Sequence, residues 1–503
     1  MILLHYNNQM IEDEEMCRVF DQLVHLNPQS NGDYTWDELG MAHLFVDLYG
    51  EDLKYCPDLG AWFIWDGTRW GRQTDAGVVK DRIETMLNLL LHYAKDIISF
   101  VPGYAMQKEF TKFVQSLRKV ATFNAILEAI KMNSRIRFLA TDWDKNPYLL
   151  NTPACAYDLR TMKPVEERDS VLLTQVTECN LEPTFPVCER WYRFIDEIMC
   201  GDKDKARFLQ RALGYSVLGI NREECMFVAY GQSTRNGKGT LFSAIQGVLG
   251  KEYAQGADPD LICESKTGKT TDFNSAQPGL RKLVNSRLVV MSESDKGVRL
   301  ATASIKAMTG RDTMTTRGLY EDSFDFVPQF KLWLNTNYLP AVTDDTIFNS
   351  DRIWVIKFLA HFDEEHRDLD LKSVFADPKN KPTILAWLLD GMKDYMAQGL
   401  NPPEVVRDDT FEYRDRYDKI GNFLRECTVP SPDSNWIQAE LYKTYCSWCC
   451  RIDNKINPMV ASLFYTELEL RGYNPVRLNG EWVYRGIKPK TRTGDESPII
   501  TLV

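Results

Sequence analysis

The stretch "YGQSTRNGKGTLF", residues 230–242, decides the fold of this 503-residue chain. It stands between the apolar run "MFVAY" and the helical pattern "LFSAIQGVLG", a strand, a glycine-rich loop and a helix in that order. Backbone N–H groups of such a loop, with the positive end of the helix, cradle phosphate oxygens. The pattern G-x-x-x-x-G-K-[ST] is met imperfectly. Five residues separate Gly231 from Gly237, and Gly239 follows Lys238 where a hydroxyl side chain is expected. The extra residue can bulge outward without moving the lysine, which reaches the β- and γ-phosphates. The glycine passes the Mg2+-binding hydroxyl to Thr240, one position later. An ordinary glycine-rich turn is the competing reading, and the residues further along decide between the two.

A nucleotide hydrolase needs a carboxylate at the end of a neighbouring strand. "RLVVMSESD" (287–295) supplies Glu293 and Asp295 directly after an apolar run. "KLWLNTN" (331–337) ends in Asn335 and Asn337, amides placed to sense a γ-phosphate. "NSDRIWVIKF" (349–358) sets Arg352 just ahead of a strand. There it either completes a neighbouring subunit's site or forms a structural ion pair with Asp351 or another acid. Strands at 224–230, 286–292, 329–336 and 352–358, alternating with helical segments, predict a mainly parallel α/β sheet.

These stretches, with "IKAMTGRDTMTTRGLY" and "FVPQFKLWLNTNYLP", resemble the superfamily 3 helicases of the phage and plasmid primase-helicase type, related to poxvirus primase-helicases. The resemblance extends upstream through "CERWYRFIDEIMCGDKDKARFLQRALGYSVLG" and downstream through "NPPEVV" and "DKIGNFLREC", well over half of the chain. Members read N-G-K-S-T or N-G-K-G-T in the loop. The resemblance implies an AAA+ P-loop ATPase core, assembled as a homo-hexameric ring that hydrolyses ATP with Mg2+ between subunits while threading one DNA strand. It implies that Gly231, Asn236, Gly237, Lys238, Gly239 and Thr240 bind the nucleotide, and that Thr240 and Asp295 serve the metal. Glu293 becomes the catalytic acid, Asn337 the sensor and Arg352 the finger acting across the interface. It also implies a channel hairpin over "GRDTMTTRGLYEDSFDF" (310–326), with Lys306, Arg311 and Arg317 as its cations. Relatives often carry a lysine after the Leu-Tyr pair, where this chain has Glu321 and Asp322. Arg317 alternatively serves the nucleotide or an internal ion pair.

Three domains are expected. Residues 1–185 form a helicase-associated mixed α/β domain, 186–400 the ATPase, and 401–503 a helical and winged-helix-like DNA-binding domain. "AWFIWDGTRW" (61–70) reads as a hairpin turning at Asp66-Gly67, its tryptophans suited to a core more than to stacking on bases. A helix follows from Val78 to Phe100. "GEWVYRGI" (480–487) is a strand flanked by a basic run, Arg485, Lys488, Lys490 and Arg492, which either neutralises backbone phosphates or is a solvated tail. No primase pattern stands in residues 1–185, so the chain reads as the helicase half alone.

A net charge of −11 argues against a nucleic-acid coat protein and leaves room for basic groups concentrated in a channel. The twelve cysteines are scattered as in a reduced cytosolic protein, and Cys446, Cys449 and Cys450 lack a partner pair for zinc. No apolar run is long enough for a membrane span. The expectation is a protein of the cytoplasm, the host bacterial cytoplasm for a phage product. Its partners are single-stranded and forked DNA, further copies of itself and a separately encoded primase or polymerase. Two other functions compete with the replicative helicase: an origin-binding initiator or loader with weak unwinding, and a P-loop kinase for a small metabolite. The kinase needs neither Arg352 at a subunit boundary nor a winged helix.

Overall fold

A computed structural model describes residues 5–6, 9–10, 34–96, 104–166, 168, 170–181, 185–264, 277–292, 298–316, 324–342, 346–452 and 458–490. At its centre is a five-stranded sheet of β1 (Met226–Tyr230), β2 (Ala254–Ala257), β3 (Leu288–Ser292), β4 (Lys331–Thr336) and β5 (Ile353–Lys357). The spatial order is β2-β3-β4-β1-β5 and every pairing is parallel. The strands are buried almost throughout because both faces are covered.

Alternate residues of each strand serve opposite cores, as the two-residue period of a strand dictates. Phe227 and Trp333, stacked at 4.6 Å, pack with α1 (Glu189–Ile198), α2 (Lys203–Tyr215), α3 (Lys238–Tyr253) and α5 (Lys381–Gln398). Met226, Val228, Leu332 and Leu334 pack on the other face, with α4 (Thr302–Thr309) and Tyr413 of α6 (Glu404–Tyr417). Four strands lie within two residues of their expected bounds. The edge strand β2 was not expected, since "AQGA" offers neither an apolar run nor alternation.

The amino-terminal part holds two three-stranded antiparallel sheets (53–56/61–65/70–72 and 149–151/156–158/163–164) and helices over 38–49, 77–96, 104–117 and 120–132. The expected hairpin pairs Trp65 with Trp70 and turns at Gly67, whose φ of 88° suits glycine. Trp62 and Trp70 are buried in the core. This part is bolted to the amino-terminal ends of the central strands. Arg69 pairs with Glu252 at 2.6 Å, and Gln175 Nε2 donates to the carbonyls of Glu252 (3.0 Å) and Asn285 (2.7 Å). Leu150, Leu159 and Cys179 enter the same core as α2 and α3.

Beyond α6, helices over 419–427, 438–452 and 461–470 surround a three-stranded antiparallel sheet in the order 428–437/481–489/475–478. Phe423, Tyr445, Phe464 and Tyr484 form its core, where Cys449 is also buried. The ten-residue strand 428–437 was not drawn from the sequence. Its two prolines and turn-forming residues obscure it, and its register breaks between Ser431 and Asn435. Among the described residues, no helix is long and apolar enough to cross a membrane.

Candidate nucleotide site

β1 delivers its chain into the loop 231–237, and α3 begins at Lys238, so the helix's unpaired N–H groups face the loop. Arg235 (φ 57°) and Gly237 (φ 84°) are left-handed. A Cβ on Gly237 would come within 2.3 Å of Ile198 Cγ2, so glycine is required by space as well as by dihedral. A Cβ on Gly231 would meet Asn236 Nδ2 at 2.2 Å and Lys238 Nζ at 2.7 Å. Gly231 therefore lets Asn236 and the lysine fold in behind the loop. Asn236 is held there by donating to the Ser233 carbonyl at 2.6 Å. Gly239 differs: a Cβ there would meet nothing within 4 Å. Space therefore does not require glycine at this position.

Lys238 is only 4% exposed. Its ammonium donates to Asn337 Oδ1 at 3.0 Å and to the Gly231 carbonyl at 3.4 Å. Burial holds its pKa down at about 8. Asn337 follows β4, which lies beside β1 with Thr336 opposite Tyr230, and Gly231 N donates to the Thr336 carbonyl at 3.2 Å. Two residues 99 positions apart thus converge on one point. Asn335 Nδ2 reaches Ser292 Oγ at 3.4 Å, so β3 leaves the sheet at the same end. Glu293 and Asp295, which follow Ser292, lie outside the described residues, as does Arg317.

The segment after β5 forms a wall that sequence reasoning missed. Phe358 N donates to the Tyr230 carbonyl (2.7 Å) and Phe362 N to that of Arg235 (2.9 Å), while His361 Nδ1 lies 3.0 Å from the Thr234 carbonyl. Between this wall and α1 is a cavity of about 280 Å³ that opens on Gly237 and Thr240. Its apolar lining includes Phe194, Phe362, Leu369 and Leu371. At its rim Arg190 bridges Glu197 (3.0 Å) and Asp368 (3.5 Å). The only signal in "HFDEEHRDLDL" was an apolar residue recurring inside a charged run. The site can hold an anion at the lysine and helix end, with a flat apolar group in the adjoining cavity.

Arg352 sits at the other end of the sheet, where its carbonyl accepts from Met226 N, roughly 15 Å of strand away from the loop. Its NH2 donates to Glu224 Oε2 at 2.9 Å, and its NH1 to the Glu224 carbonyl (3.3 Å) and to Thr309 Oγ1 (3.1 Å). The side chain is 18% exposed. The acid it pairs with is thus Glu224, not Asp351. Arg311 shares that carboxylate, Nε to Oε1 at 3.2 Å, with 61% of its side chain exposed. Lys306 is half-buried on α4. Strands Met314–Thr316 and Phe324–Phe326 pair antiparallel, with residues 317–323 between them outside the described set. Arg485, Lys488 and Lys490 are exposed on or just past the strand 481–489, beside Trp482 at 52% exposure.

Two sequence families match the chain. One described as "D5 N terminal like" covers residues 42–200, and a "Family of unknown function (DUF5906)" covers 229–352, the span from the loop to Arg352. "Putative helicase L207/L206" of Acanthamoeba polyphaga mimivirus is 29% identical over 243 residues, 45% of this chain and 25% of that protein. "Putative helicase 022R" of Frog virus 3 (isolate Goorha) is 25% identical over 264 residues, 49% of this chain and 26% of that protein. The matched part therefore spans about a quarter of each curated relative. Among solved structures, the apo C-terminal region of NrS-1 superposes with a TM-score of 0.45 at 9% identity, over 90% of this chain and 99% of that one.

Proposed function

We propose that this chain, of the phage and viral primase-helicase type by the families and relatives it matches, is an ATP-dependent replicative DNA helicase with an AAA+ core. It works as a hexameric ring moving on single-stranded DNA. The observation that carries this reading is Lys238, buried at a helix amino terminus and bonded to an amide from the neighbouring strand. An all-parallel sheet with the loop-bearing strand between β4 and β5 supports it, since α/β ligands sit beyond the carboxyl ends of such strands.

In this reading the triphosphate lies along the loop, its β- and γ-oxygens at Lys238 and its base in the cavity beside Phe194 and Phe362. The fit rests on an under-bonded buried ammonium and on adjoining room for a base. Thr240 and Asp295 would hold Mg2+, which when bound neutralises phosphate charge. Glu293 orients the attacking water, and Asn337 presents its amide to the γ-phosphate once the lysine is taken up. Arg352 acts on a neighbouring subunit's nucleotide, which requires its fork to leave Glu224. Lys306 and Arg317 contact the strand in the channel. Arg485, Lys488 and Lys490 neutralise backbone phosphates from a winged-helix-like carboxyl-terminal domain.

The test is strand displacement on forked DNA. The wild-type protein opens the duplex with ATP, and Lys238→Ala does not. Normal ATP turnover without duplex opening would replace this reading with an initiator or loader.

A further inference from the structure

The carboxyl-terminal part divides its charge unevenly. Its helices over 438–452 and 461–470 follow one another in the order of a helix-turn-helix, whose second helix enters the major groove of a duplex. Here that helix offers a duplex little. Ser462, Leu463, Thr466, Glu469 and Leu470 are its exposed residues, and no lysine or arginine stands between Ala461 and Leu470. Arg471, at the helix end, is spent within the fold on Asp418 (2.8 Å) and Glu467 (3.7 Å).

The hairpin that follows has the opposite character. Residues 475–490 hold four cations, Arg477, Arg485, Lys488 and Lys490, against one acid, Glu481. All four are exposed, and none of their side chains has a hydrogen-bond or ion-pair partner among the described residues. Trp482 is 52% exposed, likewise with no acceptor for its indole N–H and no ring packed on its face among those residues. Arg477 is paired with Trp482 across the two strands, so the two side chains leave the same face about 5 Å apart at Cβ. The tip is a two-residue turn with φ of 49° at Asn479 and 91° at Gly480, the tight form whose twist matches the strands it joins. Two residues on from Trp482, Tyr484 is buried in the core and stacks on Tyr465 at 6.2 Å, which anchors the hairpin. Arg485, Lys488 and Lys490 continue the positive charge along and just past the same strand. An aromatic ring held in solvent on a braced hairpin, among unpaired cations, is the arrangement on which a base stacks while its phosphates are neutralised.

We propose that this hairpin, and not the helix beside it, takes up single-stranded DNA. Trp482 stacks on a base, Arg477 holds the phosphate next to it, and the run from Arg485 to Lys490 carries the strand onward. Every base has a flat face, so the contact tolerates any sequence. Bases inside a duplex hide those faces, so the contact selects unpaired strand. The inference rests on the reading of this chain as a DNA motor, and it adds a contact that needs neither ATP nor the Lys238 loop.

The experiment uses the full chain without ATP, with a labelled oligothymidylate and a blunt duplex of the same length, read by fluorescence anisotropy. Trp482→Ala is expected to lower single-strand affinity about tenfold and to leave duplex affinity within about twofold, while Trp482→Phe, which keeps a ring, regains most of the loss. Arg477→Gln is expected to weaken oligothymidylate binding severalfold and to reduce its salt slope by about one. Thr466→Glu, on the exposed face of the helix, is expected to change neither ligand's affinity. Unchanged oligothymidylate binding in Trp482→Ala overturns the proposal, and self-association lost in its place would assign the surface to a second copy of the chain. An equal loss on both ligands also overturns it, since that is phosphate contact without stacking. A loss in Thr466→Glu as large as in Trp482→Ala would return the contact to the helix. Failure of the helicase reading shows differently, as wild-type protein that binds oligothymidylate yet opens no duplex with ATP.

Discussion

At the amino-terminal end of the central strands, Lys331 is 1% exposed, and its ammonium donates to the carbonyls of Leu218, Ile220 (3.2 Å) and Gln329 (2.9 Å). Arg287, equally buried, donates to the carbonyls of Val217 (2.9 Å) and Leu149. At the carboxyl-terminal end Lys238 is buried almost as deeply, yet it has one amide partner and one long contact. An ammonium offers three donors. Lys331 uses all three within its own chain, and Lys238 keeps capacity for something else. Burial alone therefore does not distinguish a lysine that holds a fold together from one that waits for a ligand; between these two lysines, saturation does. Arg352 is the hard case, because its partners are internal while its proposed role is external.

That contrast is broken or sharpened first at Arg352. If the arginine acts across subunits, Arg352→Ala lowers ATP turnover on the order of 10³ to 10⁵ while nucleotide affinity is kept. Normal turnover per folded molecule, with a lowered melting temperature, would instead group it with Lys331. Next, Lys238→Met is expected to cut turnover on the order of 10² to 10³ with no loss of stability, since it removes an incompletely bonded buried charge. Chemical denaturation beside a steady-state assay reads both. Lys331→Met should do the reverse, orphaning buried carbonyls at a cost of about 2–3 kcal/mol while sparing turnover of the folded fraction.

A smaller effect is expected with pH. Burial lowers Lys238 from 10.5 to about 8, and a bound triphosphate restores its charged form. Binding then takes up a proton wherever the free side chain is neutral. Nucleotide affinity is therefore flat below pH about 8 and weakens above it, by up to about tenfold per unit. Titrations from pH 7 to about 9.5 measure the slope, and a flat profile would contradict the assignment. Smallest is Gly239→Ser, which the open space admits. It should stabilise the protein by about 0.5 kcal/mol through helix propensity and leave turnover within about twofold.

The sequence was most legible where local pattern and tertiary role agree. The apolar runs of β1, β3, β4 and β5 are strands because only such runs can be buried on both faces, and the glycine-lysine loop needs no partner to be noticed. It was least legible where a role depends on distant residues. Nothing near Arg352 announces Glu224, which lies 128 positions earlier. The cavity wall at 358–371 is written in charged residues whose backbone, more than their side chains, makes the contacts with the loop. Strands β2 and 428–437 are held by their neighbours despite small residues and prolines.

The link between Lys238 and Asn337 also has a mechanical meaning. Just past Asn337 the chain runs to Ala341, whose N–H donates to the Val298 carbonyl at 2.7 Å and whose carbonyl accepts from Leu300 N at 2.9 Å. Residues 298–300 lead straight into α4 and then the paired strands 314–316 and 324–326. A phosphate that drew the lysine off its amide would free Asn337, and with it the start of a main-chain path that ends at that ribbon. Altered amide exchange at Leu300 and Ala341 on adding nucleotide would register that release, and unaltered exchange would show that it stops at Asn337.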